Sequence, residues 1–120
     1  MGGLGPMAGQ NHHFRLYAKD KIPYAIDRYV NETHRLYRVL DKRLGDREFV
    51  AGDYSIADMA IYPWIRPYEN QGQDIDEFPY FKRWFDELGA RPGVQRGMAV
   101  GSELSVDVSK LDEKQKARIR

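Results

Sequence analysis

The chain has 120 residues, with 19 basic and 18 acidic side chains, three His and no Cys. That length makes one domain, able to bury roughly two-thirds of the surface its unfolded form exposes. The near-cancelling charges leave no electrostatic footprint for nucleic acid; without Cys, a disulfide framework, a thiolate zinc site and a cysteine nucleophile are excluded within these residues.

In chain order, the three Gly and one Pro among Gly2, Gly3, Leu4, Gly5 and Pro6 read locally as loop. Residues 22–44 predict a helix. Pro23 suits its first turn, and Ile26, Tyr29, Val30, Thr33, Leu36, Tyr37, Leu40 and Leu44 keep the three-and-four spacing of one buried face, with Gly45 as the stop. The segment Tyr54-Ser55-Ile56-Ala57-Asp58 then opens another helix with Ser-x-x-Asp, an acidic variant of the capping box. The Ser55 hydroxyl accepts from the Asp58 amide while the Asp58 carboxylate reaches back to the Ser55 amide. Beyond it, Ile56, Met59, Ala60, Ile61, Tyr62, Trp64 and Ile65 point all around the wheel, which places the 55–66 helix in the middle of a core. Pro63 is expected to bend or end it. Core packing is the expected role of Tyr62 and Trp64, with the lining of a pocket for a hydrophobic ligand as the alternative.

Residues 67–77, with Pro67 and Gly72, read as loop. A helix from about Pro79 to Leu88 buries Phe81, Trp84, Phe85 and Leu88 and stops at Gly89 and Pro92, and a short helical piece follows near residues 93–100. From Ser109 the chain is charged, with a second Ser-x-x-Asp (Ser109, Asp112) and only Leu111 and Ile119 as sizeable apolar residues. It reads as a frayed helix or disorder. The division is therefore a helical domain over 1–108 and a charged tail over 109–120. No apolar run approaches the roughly 20 residues that span a membrane, and no charged-then-apolar leader is present, so a cytoplasmic location is the default.

Few residues suggest chemistry. His12 and His13 are adjacent, about 100° apart on a helix, and make a poor chelate; His34 is far along the chain, so no metal site is assigned. Gln10, Asn11, His12 and His13 form a polar cluster that suits either the lining of a cleft or helix–helix hydrogen bonding. Arg28 shares with Tyr24, Asn31 and Arg35 the stripe opposite the apolar face of the 22–44 helix, which by periodicity alone is a solvated basic face.

Three segments occur in a telling order: Gly2-Gly3-Leu4-Gly5-Pro6-Met7 running into Gly9-Gln10-Asn11-His12-His13-Phe14, then Ile22-Pro23-Tyr24-Ala25-Ile26-Asp27-Arg28-Tyr29, then Tyr54-Ser55-Ile56-Ala57-Asp58. From Met1 to about Gly97 the chain resembles the C-terminal domain of glutathione transferases, and in particular the bacterial nu-class glutathione-dependent disulfide-bond reductases. The resemblance implies an all-α, right-handed bundle of about five helices with the 55–66 helix at its centre. It makes residues 1–18 the distal part of a long helix that already contains Met1, its glycines admitting close approach, and places that segment at the cleft or the dimer interface. It implies glutathione as co-substrate, a homodimer and Arg28 as a glutathione contact; no metal is expected, and Gln10, Asn11, His12 and Tyr24 are candidates for cleft lining. In that family a thioredoxin-like N-terminal domain supplies most of the glutathione site and the catalytic groups. These residues contain no βαβ pattern, so no catalytic residue is assigned here and the chain alone is expected to be inactive. The reaction would be thiol–disulfide exchange with glutathione as the thiol. The alternative is a non-catalytic helical assembly or regulatory module.

Overall fold

The computed structural model describes residues 2–104 and 111–118. Met1, Ser109 of the second Ser-x-x-Asp and the 108/109 division lie outside the described residues. The elements are α1 (Leu4–His12), a π-helical turn (His13–Tyr17) that prolongs it, α2 (Pro23–Leu44), α3 (Ile56–Ile65), α4 (Pro79–Ala90), α5 (Pro92–Ala99) and the short α6 (Glu113–Ala117). Among the described residues no strand forms, only two isolated bridges in the tight turn at 49–53. The expected all-α bundle is therefore present. Residues 4–17 are helical rather than loop because Gly5, Ala8 and Asn11 form a buried stripe of small side chains. That stripe seats α1 against α2 and α3.

The core is built on α2 and α4. Thr33, Tyr37, Leu40 and Leu44 are the buried residues of α2; Phe81, Trp84 and Leu88 are those of α4. Phe81 sits among Tyr37, Phe78, Trp84 and Phe85, with ring centroids 4.9, 6.1, 5.9 and 6.1 Å away. Such aromatic pairs each add roughly 0.5–1.5 kcal/mol beyond the area they bury.

Four expectations are corrected. The helix α3 does not lie in the middle of the core: it buries Asp58, Tyr62 and Ile65, while Ile56 is 81% and Trp64 41% exposed. Tyr62 packs in the core as expected, and Trp64 does so only in part. Pro63 does not end α3, which runs on to Ile65 with Arg66 N donating to Tyr62 O at 3.0 Å. Proline removes only the bond to Met59 O, and Met59 and Pro63 both lie on the exposed side, where water can serve that carbonyl. Gly89 does not end α4 either. A Cβ there would stand 3.0 Å from the Tyr62 hydroxyl, so this glycine lets α3 and α4 pack closely. Finally, residues 67–77 are not a plain loop: two 3-10 turns, Glu69–Gln71 and Ile75–Glu77, bury Gln71, Gln73 and Ile75. In the tail, α6 is opened by Asp112, whose carboxylate accepts from Gln115 N at 2.7 Å while Gln115 Oε1 accepts from Asp112 N at 3.0 Å.

The capping box forms as expected. Ser55 Oγ accepts from Ala57 N at 3.2 Å as well as from the third residue of the helix, and Asp58 Oδ2 accepts from Ser55 N at 3.0 Å. Asp58 does more than cap. Fully buried, it also accepts from Val50 N at 3.0 Å and Trp84 Nε1 at 2.7 Å, both on Oδ1. The two substitutions should therefore differ. Ser55→Ala should cost about 1 kcal/mol, the loss of a cap, and Asp58→Ala about 3 kcal/mol or more, since buried donors are also stranded. Chemical denaturation checks this by the two midpoints; equal losses would show that Asp58 does no more than close the cap.

Candidate functional site

Two polar features flank the α1–α2 contact, one sealed and one open. The sealed one is a seam centred on Gln71. Its Oε1 accepts from the Tyr37 hydroxyl at 2.6 Å and its Nε2 donates to Trp64 O at 2.6 Å. Its backbone carbonyl accepts from Asn11 Nδ2 at 2.9 Å and Gln73 Nε2 at 3.0 Å. Asn11 Nδ2 also donates to Thr33 Oγ1 at 3.1 Å, and Thr33 donates on to Tyr29 O at 2.7 Å. Burial pushes the Tyr37 phenol well above its ordinary range, with Tyr68 adding to the shift. Asn11 is fully buried, so it ties α1 to α2 and does not line a cleft. Of the two readings of the Gln10–His13 cluster, helix–helix hydrogen bonding is the one Asn11 fulfils.

The seam was not anticipated from the sequence, and its only local mark is Gly72 between Gln71 and Gln73. Gly72 has φ +69°, and a Cβ there would meet the Arg15 guanidinium carbon at 3.1 Å. Arg15 reaches over from the π turn and donates to the carbonyls of Glu69 and Asn70.

The open feature is a groove of about 610 Å³ between α1 and the first half of α2. Met7 on α1 and Tyr24 and Tyr29 on α2 give it apolar surface; Asp27, Arg28, Asn31, Glu32 and Arg35 give it polar groups. Tyr29 is held by stacking on Phe14, centroids 5.4 Å apart. The two arginines are not equivalent. Arg35 is engaged by Glu32 through two parallel bonds, Nε to Oε2 at 2.8 Å and Nη2 to Oε1 at 2.7 Å. Among the described residues Arg28 makes no hydrogen bond or ion pair. The Arg35 hydrogen bond, with Arg28 as a smaller influence, lowers the Glu32 pKa. Thus Tyr24 and Arg28 share the groove, whereas Gln10, although exposed, and half-buried His12 do not border it.

No three His, Asp or Glu side chains converge as a metal site among the described residues. His34, which lacked a carboxylate companion at ligand spacing, meets Glu77 Oε2 at 3.0 Å across 43 residues and packs on Phe78. A second groove, of about 910 Å³, runs between α3 and α5, with Met59, Val94 and Met98 as its apolar surface. No described helix is long and apolar enough to cross a membrane.

Residues 8–92 match the family model for the C-terminal domain of glutathione S-transferase, and the chain belongs to this family. It is 46% identical over 99 residues to the disulfide-bond oxidoreductase YfcG of Escherichia coli (strain K12), covering 82% of this chain and 46% of that protein. With the disulfide-bond oxidoreductase YghU of the same organism the identity is 44% over 107 residues, covering 82% and 37%. The chain therefore spans about half the length, or less, of these curated relatives. Among solved structures it resembles a glutathione transferase from Burkholderia graminis with two glutathione molecules bound per subunit, at TM-score 0.76 and 40% identity, covering 85% of this chain and 46% of that one. A glutathione transferase from Pseudomonas putida with one glutathione disulfide bound per subunit gives TM-score 0.76 and 40% identity, covering 83% and 46%. The fold and family expected from the three sequence segments are thus confirmed.

His12 supplies a pH test of how α1 is seated. Burial, reinforced by the charge of Arg15, pulls its pKa below the ordinary 6.5, and Nε2 is buried without a hydrogen-bond partner. The unfolded chain then binds a proton that the folded chain refuses. This contribution is complete above the unfolded pKa of 6.5 and is lost as the pH falls below it. The drop in denaturation midpoint between about pH 7.5 and about pH 5.5 should be smaller in His12→Gln than in the native chain. Equal drops would assign the pH dependence elsewhere.

Proposed function

We propose that these residues are the helical half of a glutathione-dependent disulfide-bond oxidoreductase of the glutathione transferase family, with Arg28 as a contact to one carboxylate of glutathione. One observation carries the assignment of the residue: among the described residues Arg28 is a guanidinium without a hydrogen bond or ion pair in an open groove, while Arg35, two turns on, is occupied by Glu32. A guanidinium can grip a carboxylate through two parallel charge-assisted bonds, and glutathione carries two carboxylates. The names of the E. coli relatives and the glutathione and glutathione disulfide held by the solved neighbours support the ligand.

The absence of Cys fits this chemistry. A glutathione thiolate attacks a substrate disulfide, forming a mixed disulfide and releasing one substrate thiolate. A second glutathione thiolate then attacks the glutathione sulfur of that mixed disulfide, releasing the other substrate thiolate and leaving glutathione disulfide. The protein need not supply a sulfur. Its task is to bind glutathione and favour the thiolate, and the groups facing the sulfur are those of a thioredoxin-like half. The assembled protein would act as a cytoplasmic homodimer. Exposed Ile56, Met59 and Trp64 offer apolar surface for association with the rest of such an assembly.

In a form carrying a thioredoxin-like half, Arg28→Ala should weaken glutathione binding by roughly 1.5–3 kcal/mol, the range for a hydrogen bond to a charged group. Arg35→Ala should change it little. Calorimetry giving equal, small effects would return Arg28 to a solvated basic face. The 120-residue chain by itself should bind glutathione more weakly than about 1 mM and show no measurable disulfide reduction, since one Arg cannot offset the immobilisation of a flexible tripeptide. Saturable micromolar binding would overturn the half-site reading.

A further inference from the structure

Two buried oxygens of the sealed seam, Asn11 Oδ1 and Gln73 Oε1, have no donor among the described residues. Asn11 is fully buried and Gln73 is 6% exposed. What each nitrogen does fixes the orientation of its amide. Asn11 Nδ2 gives its two protons to Thr33 Oγ1 and Gln71 O; Gln73 Nε2 gives its two to Val30 O, at 3.1 Å, and to Gln71 O. Turning either amide over would set oxygen against oxygen at Gln71 O. The neighbouring hydroxyls cannot serve, since Thr33 donates to Tyr29 O and Tyr37 to Gln71 Oε1. A buried carbonyl oxygen without a donor is costly, so in a folded core it marks a partner other than a side chain. His12 Nε2 is a third such atom, but His12 is turned about 100° from Asn11 around α1 and belongs to another side of the helix.

Both amide nitrogens lie within 3.0 Å of the same carbonyl oxygen, so the two amide groups are neighbours. The partner their oxygens need must bring two protons and no charge. Asn11, Thr33, Tyr37, Gln71 and Gln73 are all neutral, and a cation buried among them would go unbalanced. Water meets both conditions and is small enough for an interior site. We propose that the seam is a built water site, in which one molecule donates a proton to Asn11 Oδ1 and its other proton to Gln73 Oε1. The water joins α1 to the turn around Gly72, beside the direct bond from Asn11 to Gln71 O. Arg15 covers the outside of that turn: its guanidinium lies over Gly72, where a Cβ would stand 3.1 Å from Cζ, and donates to the carbonyls of Glu69 and Asn70. Such a molecule belongs to the fold rather than to the solvent, and it leaves only when α1 lifts from the turn.

The test uses the 120-residue chain in two ways. A crystal structure fine enough to show water should place one density peak about 2.5–3.0 Å from both Asn11 Oδ1 and Gln73 Oε1. In solution, magnetic resonance of the nitrogen-15-labelled chain should show cross-relaxation from water to the Asn11 and Gln73 side-chain amides, with the sign of a molecule that tumbles with the protein. The exposed amide of Gln10 is the comparison and should show only the sign of mobile solvent. Gln73→Met keeps the length of the side chain but removes its oxygen, and should abolish both the peak and the cross-relaxation at Asn11. If that variant does not fold, the two measurements on the native chain decide alone. Separate waters on the two oxygens, no water at either, or a protein donor turned onto one of them would overturn the proposal. A peak in the crystal without the solution signal would do the same, as would an Asn11 signal that persists in Gln73→Met, which would trace it to the hydroxyl proton of Thr33.

Discussion

The carboxylate of Asp58 is the point on which the bundle depends. One oxygen closes the N-terminus of α3 on Ser55; the other gathers Val50 from the preceding turn and the indole of Trp84 from the middle of α4. A fully buried carboxylate is costly unless its lone pairs are filled, and here N–H donors from three segments fill them at the positive end of a helix. The same group therefore sets where α3 begins, where the 49–53 turn lies and how α4 is rotated. Tyr62 then meets Gly89 and Phe85 in a fixed register, with the Phe85 ring centroid 5.2 Å away.

From that frame the groove inherits its shape at one remove. The carbonyl of Trp64, at the far end of α3, receives the amide of Gln71, and Gln71 receives Asn11 and Tyr37. Through this seam the position of α3 is passed to α1 and α2, whose separation is the width of the groove at Met7 and Arg28. Almost every group in the chain of contacts is polar and interior. Such networks are demanding, because a missing partner leaves a desolvated atom, and for the same reason they admit few alternative packings. A groove that must hold a flexible, charged ligand gains from walls set in this way.

How much of this the sequence revealed follows from the range of each interaction. The capping box is encoded within four residues and was readable, as were the long amphipathic α2 and the position of Arg28 off its buried face. The second oxygen of Asp58 was not, because its partner Trp84 lies 26 residues away. Asn11 looked equally suited to a cleft and to a helix contact, and the decision rested with Thr33 and Gln71, at separations of 22 and 60. From intrinsic propensity Pro63 reads as a bend or a stop and Gly89, with Pro92, as a stop; Pro63 is tolerated on an open side, and Gly89 admits a tyrosine. Hydrophobicity all around α3 suggested burial on all sides, but these residues provide neighbours for only part of that surface.

The two tryptophans occupy contrasting places. Trp84 is sealed in the core with its indole nitrogen on a carboxylate, whereas Trp64 lies partly open with its ring against α1, where a Cβ on Gly5 would come within 3.0 Å of it. The chain thus carries two built-in emitters of unlike polarity, one answering to the core and the other to the seating of α1. Their fluorescence separates the loosening of the groove wall from the melting of the bundle, so a ligand that tightens α1 against α2 announces itself through Trp64 alone, with no dye attached.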